Sequence, residues 1–269
     1  WLGKPTDKDD KAFAQADLEK YKAELQRVQT LLYANGTTAL LLVFQALDAA
    51  GKDGTIGHVM SGVNPQGCSV TSFKQPSAEE LRHDFLWRCA KALPERGRIG
   101  IFNRSYYEDV LAVRVHPELL SAHDSARPGK PRPRLWEERY EDINAFEHHL
   151  DRTGTRVVKF FLHVSKDEQR RRFLARLDDP AKRWKFSPAD VAERAHFDEY
   201  MQAYEAALSA TSTKHAPWYV IPADHKPTMR ALVAGVIVGV VDQLGLSLPK
   251  DAMSDAERDA ARRELAEGS

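Results

Sequence analysis

Residues 39–46 (ALLLVFQA) form an apolar run that follows the turn Asn35-Gly36 and gives way to Asp48. A strand with one face in water alternates polar and apolar residues. A run without that alternation must be covered on both faces, which is the condition of a strand inside a parallel sheet. Shorter runs repeat the pattern at residues 99–102, 157–164 and 218–221, with a weaker one at 68–73. Polar segments with helical spacing lie between them, at residues 79–93, 137–150 and 166–177. Strands alternating with helices predict an α/β fold with a doubly wound, mainly parallel sheet and right-handed crossovers.

Ahead of the first strand, Phe13, Leu18, Tyr21, Leu25, Val28 and Leu32 recur at three- and four-residue spacing. That predicts a helix over about 9–34, with the sheet core beginning near 38. The basic stretch 127–134 (RPGKPRPR) is rich in proline and glycine and reads as an irregular loop. The polar tail 250–269 reads as a peripheral helix or a frayed end. A length of 269 residues suffices for one large α/β domain or for two small ones, and the chain is read as a single domain. Its longest apolar run, 231–241, is about half of what a bilayer requires, so it predicts a buried helix and no membrane partner. Nothing at the N-terminus resembles a signal peptide. Cys68 and Cys89 lack metal-ligand spacing and make no disulfide framework, which points to a cytoplasmic protein. Lys+Arg and Asp+Glu are both 39, so any anion site must come from local clustering.

The segment 46–55 (ALDAAGKDGT) directly follows the first strand. In the loop G-x-x-x-x-G-K-[ST], backbone N–H groups curl around phosphate oxygens and a lysine reaches the terminal phosphates. Gly51 and Lys52 fit; Ala46 replaces the first glycine and Asp53 replaces Ser or Thr. Ala49, Ala50, Gly51, Asp53, Gly54 and Thr55 are the candidate phosphate-binding positions. A carboxylate beside bound phosphates needs a bridging cation, which makes Asp48 a candidate magnesium ligand.

The segment 99–111 (IGIFNRSYYEDVL) is a strand that runs into a charged turn. In open α/β sheets the ligand lies beyond the carboxyl ends of the strands, which places Asn103 and Arg104 at that edge. Arg104 carries a planar fork of donors suited to phosphate oxygens. Phosphate-loop enzymes commonly end this strand in a metal-directing Asp. Here that place holds Asn103, and of the later acids Glu108 and Asp109, Asp109 is the stronger metal candidate.

Together, residues 47–55, 61–67 (SGVNPQG), 101–111, 168–176 (EQRRRFLAR), 178–180 (DDP) and 183–185 (RWK) resemble the polyphosphate kinase 2 family, over about 15–245. The form of residues 103–111 is most similar to the family's third class, whose members phosphorylate both AMP and ADP. The resemblance implies a P-loop kinase-like three-layer α/β/α sandwich with a helical lid over about 112–150 and 166–178. It implies magnesium on Asp48 and Asp109, with manganese able to substitute. Lys52 and Arg104 would contact transferring phosphates, and Asn103 and Glu108 the nucleotide. Arg172 and Arg176 share a helix face, with Arg171 about 100° around, and are the candidate lid arginines. Lys74, Arg82 and Arg114 are further polyphosphate candidates by position near the sheet edge. The partners implied are inorganic polyphosphate and adenine nucleotides, with guanine nucleotides as possible substitutes, in a homodimer or homotetramer. Two other readings are an ATP-dependent nucleoside monophosphate kinase and a non-enzymatic polyanion-binding module. Asp53 in place of Ser or Thr argues against the first. Neutral net charge and the lack of a base-stacking motif argue against the second, and against a nucleic-acid partner.

Overall fold

The structure, a computed structural model, describes residues 8–120, 124–127 and 129–267. The chain runs α1 (Lys8–Asn35), β1 (Ala39–Gln45), α2 (Lys52–Val59), β2 (Cys68–Ser72), α3 (Trp87–Lys91) and β3 (Ile99–Asn103). It continues with α4 (Ala112–Val115), the short strands β4 (Ser125–Arg127) and β5 (Lys130–Pro131), α5 (Leu135–Arg152) and β6 (Thr155–His163). Then come α6 (Lys166–Asp178), α7 (Pro188–Ala195), α8 (Phe197–Thr211), β7 (Trp218–Pro222), α9 (Lys226–Gln243) and α10 (Asp255–Glu267).

The main sheet has the order β2-β3-β1-β6-β7 and every pairing in it is parallel. All seven residues of β1 are buried, as its unbroken apolar run requires. Successive side chains of a strand point to opposite faces. Leu40, Leu42 and Phe44 accordingly pack with Leu18, Leu25 and Leu32 of α1 and with Val233 and Ile237 of α9. Leu41 and Val43 pack on the other face with Phe102, Ile143 and Leu150 of α5 and Tyr204 of α8. The result is the three-layer α/β/α sandwich. The apolar run 231–241 lies inside α9, where the Tyr21 ring presses so closely on Gly235 that an added Cβ would stand 3.1 Å from it. No helix among the described residues is long and apolar enough to cross a membrane.

Three sequence expectations change. Phe13 is 72% exposed and lies off the buried face of α1, which Ala14 and Leu18 occupy instead. Residues 79–93 do not form one helix: a single 3-10 turn, Glu80–Arg82, is separated from α3. Asp84 Oδ1 accepts the Leu86 N–H at 3.0 Å, an alternative partner that breaks helical continuity. The stretch read as irregular contributes to a short antiparallel hairpin, β4 with β5, turning at Gly129 (φ 71°). Pro131 is tolerated there because a two-stranded ribbon leaves one side of each strand unpaired. Pro128 lies outside the described residues.

Candidate active site

The loop after β1 is shaped by backbone before side chains. Ala49 (φ 65°) and Gly51 (φ 106°) take the left-handed region. For Ala49 that conformation costs about 1 kcal/mol and persists only where the surroundings enforce it. Ala46, in place of the usual glycine, keeps a negative φ, so the missing glycine leaves the turn intact. α2 begins at Lys52, and the first backbone N–H groups of a helix have no partner within it. They form a natural anion cradle beside Gly51. Lys52 Nζ donates to Ala46 O at 2.6 Å, and burial lowers its pKa, helped by the charge of Arg104 and opposed by Asp48, Glu108 and Asp53. Asn103 Nδ2 donates to Asp53 Oδ1 at 2.7 Å, tying the end of β3 to the start of α2.

Arg104 also lies in the left-handed region (φ 64°), and its N–H donates to Phe44 O at 3.0 Å. Its guanidinium stands 3.1 Å from Asp48 Oδ1 and 3.9 Å from Glu108 Oε2. The charge of Glu108 is the main cause of its raised pKa. The next turn, Tyr106–Val110, is anchored from below: Glu147 Oε1 accepts from both the Tyr106 and Tyr107 hydroxyls at 2.9 Å.

A cavity of about 620 Å³ opens above the loop. Eight cationic side chains line it: Lys52, Lys74, Arg104, Arg176, Lys182, Lys185, Lys226 and Arg230, against the two carboxylates of Asp48 and Asp53. Ala49, Gly51, Gly54 and Asn103 line it as well. A second cavity of about 480 Å³ shares Asp48 and Arg104 with the first, but its walls are Phe173, Phe197, Tyr200 and Tyr204, with Glu108 and Gln169 among them. Burial holds the Tyr204 hydroxyl far above its ordinary pKa, so this ring is a neutral wall.

Other expected site residues stand elsewhere. Asp109 and Arg82 line a third cavity, also about 480 Å³, with Arg88 and Arg139. Burial pushes the Asp109 carboxyl up to about 6, against the pull of Arg139 and Arg88. Arg114 Nη1 donates to the Tyr140 hydroxyl at 2.7 Å and its guanidinium lies over the Trp136 ring. Thr55 Oγ1 turns back to Gly51 O at 2.9 Å, and Ala50 is wholly buried. Arg171 is exposed and paired with Glu168, while Arg172 is buried behind the loop. Of the three lid arginines expected at the phosphates, the structure brings Arg176 alone to the cavity wall. Lys182, Lys226 and Arg230 escaped the sequence reading. Lys226 and Arg230 are four apart just beyond the carboxyl end of β7, a position the strand-end rule could have flagged.

A family model described as Polyphosphate kinase 2 matches residues 8–245. This chain belongs to the polyphosphate kinase 2 family. An ADP-polyphosphate phosphotransferase of Rhodopseudomonas palustris is 57% identical over 84% of this chain and 78% of its own. An AMP/ADP-polyphosphate phosphotransferase of Meiothermus ruber is 47% identical over 84% of this chain and 80% of its own. The crystal structure of Polyphosphate Kinase 2 from Arthrobacter aurescens TC1 superposes with a TM-score of 0.87 at 42% identity, covering 100% of this chain and 89% of that one. The family resemblance in the motifs and the P-loop kinase-like sandwich both hold.

Proposed function

We propose that this chain transfers phosphoryl groups from inorganic polyphosphate to AMP and ADP, reversibly, forming ADP and ATP. One observation carries the reading: a strongly cationic trough and an aromatic pocket meet at Asp48 and Arg104. A polyanion of unlimited length needs a row of cations and no shape-specific wall, which is the trough. A nucleoside needs apolar and aromatic surface for its base, which is the pocket. The junction is where the terminal phosphates of the two would face each other. The names of the two bacterial relatives support polyphosphate and ADP as the partners of the transfer, and that of the Meiothermus protein adds AMP.

Phosphoryl transfer asks a protein mainly for positioning and charge neutralisation, so no nucleophilic side chain is needed. Arg104 at the junction steadies the transferring group, and Lys52 and Arg176 neutralise the donor's oxygens from the trough. The loop N–H groups hold the phosphate next along the chain. Glu108, on the pocket side, sets the distance at which a short or a long nucleotide tail can approach Arg104. The Asp48 carboxylate at the junction and the Asp53 carboxylate along the trough are hard oxygen donors, which suits magnesium, with manganese able to substitute. When bound there, the ion supplies charge neutralisation and orientation of the phosphate oxygens. Guanine nucleotides as secondary acceptors, a homodimeric or homotetrameric assembly and a cytoplasmic location complete the proposal, on the strength of the family resemblance.

The test is AMP with long-chain polyphosphate and magnesium in the absence of ATP. ADP followed by ATP is the expected result. Use of ADP with no reaction on AMP removes the role given to Glu108 and keeps the donor. Transfer from ATP with none from polyphosphate points to a nucleoside monophosphate kinase instead.

A further inference from the structure

The Arg172 guanidinium is 7% exposed and makes a complete set of contacts. Nε donates to Glu168 Oε1 at 2.7 Å. Nη1 donates to Ala49 O at 3.0 Å and Ala50 O at 2.7 Å. Nη2 donates to Ala223 O at 2.5 Å and Asp224 O at 3.1 Å. A guanidinium has five N–H donors, and all five are used within the protein. None remains for a substrate phosphate.

We propose that Arg172 is a positioning residue that forms the phosphate loop rather than a lid arginine that touches substrate; this rests on the reading of the trough as the polyphosphate site. The geometry gives it that task. The carbonyl and the N–H of one peptide point in opposite directions across its plane. Drawing Ala50 O onto Arg172 therefore turns the Gly51 N–H away from Arg172, to the side where Gly51 lines the trough. Drawing Ala49 O the same way holds Ala49 in its left-handed conformation (φ 65°), which an alanine does not keep unaided. The two Nη2 bonds hold the corner after β7 at Ala223 and Asp224, three and two residues before Lys226, which lines the trough with Arg230. One buried cation thus holds the cradle and the adjoining start of α9 in register, from a helix that also brings Arg176 to the site. Glu168, which it shares with the exposed Arg171, offsets part of its charge.

The test uses Arg172→Lys and Arg172→Met, with Arg176→Met and the exposed Arg171→Met beside them. A lysine keeps the charge but lacks the fork, and its ammonium cannot reach two pairs of carbonyls on different segments. Both Arg172 variants are expected to lose tripolyphosphate affinity by at least about tenfold, because misplacement of the loop weakens every amide contact at once. The salt dependence of binding reports how many cations meet the polyanion. Its slope should be unchanged in Arg172→Lys and shallower in Arg176→Met, with Arg171→Met like wild type. Hydrogen exchange without substrate separates this proposal from the donor assignment. Arg172→Lys should speed exchange over residues 46–54 at temperatures where circular dichroism shows a folded chain. If exchange there is unchanged, or Arg172→Lys binds tripolyphosphate like wild type, the clamp is overturned. A wild-type protein without affinity for tripolyphosphate overturns the polyphosphate reading and leaves the exchange result to judge Arg172.

Discussion

Arg104 holds a backbone conformation unusual for a side chain of its size so that its guanidinium can stand between Asp48 and Glu108. That arrangement separates the acids at the proposed junction from those that line other cavities. Asp48 lines both the trough and the aromatic pocket, whereas Asp109, one residue past Glu108, faces the third cavity beside Arg139. Asp48→Asn should raise the magnesium concentration needed for half-maximal rate by at least about tenfold, the scale of losing one carboxylate ligand. Asp109→Asn should leave that requirement nearly unchanged. A magnesium titration of the two variants decides, and an equal shift in both would restore Asp109 as a ligand. Glu108→Gln keeps the size of the side chain and removes its charge. It should lower turnover with AMP far more than with ADP, read as the ratio of initial rates.

Among the elements, the 3-10 turn Tyr106–Val110 depends on a buried ion pair. Lys159 Nζ lies 2.5 Å from Glu147 Oε2, both side chains are wholly inaccessible, and both tyrosine hydroxyls complete the carboxylate's shell. Removing one partner strands the other in a medium that cannot solvate it, at a cost of about 3–5 kcal/mol. Lys159→Met should show that loss in urea unfolding, while Tyr106→Phe, which removes one bond to the buried carboxylate, should lose about 2 kcal/mol. The helix α7 has no buried residue and is held by contacts at its edge, including His116 Nε2 at 3.0 Å from Glu193 Oε1. Burial pulls the His116 pKa down, but hydrogen bonds and charge from Glu193 and Glu118 outweigh it and leave the ring above its ordinary value. His196 and the Tyr200 hydroxyl face the same cluster. A histidine with a raised folded pKa contributes stability that is complete below its unfolded pKa, about 6.5. That contribution fades as pH rises through the folded value. The urea midpoint should therefore fall as pH is raised through that range, and His116→Gln should flatten the fall.

At the scale of the whole molecule, what the sequence disclosed follows from how local each signal is. β1 was legible because a strand buried on both faces must be apolar throughout, and the loop was legible because Gly51-Lys52 sits directly behind it. The facing of α6 was not. Periodicity says that Arg172 and Arg176 share a side, but not that carbonyls from two distant segments wait on Arg172 while the trough waits on Arg176. Lys226 and Arg230 were masked by the apolar run that follows them, which reads as core and says nothing of its polar first turn. Charge shows the same limit. The chain is neutral overall, yet the fold collects eight cations and two carboxylates around one cavity. A neutral protein has little long-range field, so the attraction is confined to the trough and is screened by salt within about 10 Å at 0.1 M. Polyphosphate, proposed to span many of those cations, should show a KM that climbs steeply with potassium chloride. A nucleotide, with its base proposed to sit in the aromatic pocket, should show a much weaker climb. Lys182→Met combined with Lys185→Met should flatten the polyphosphate dependence and leave the nucleotide KM in place. Parallel salt dependence for both substrates would mean that one cavity holds both, and would move the junction away from Asp48 and Arg104.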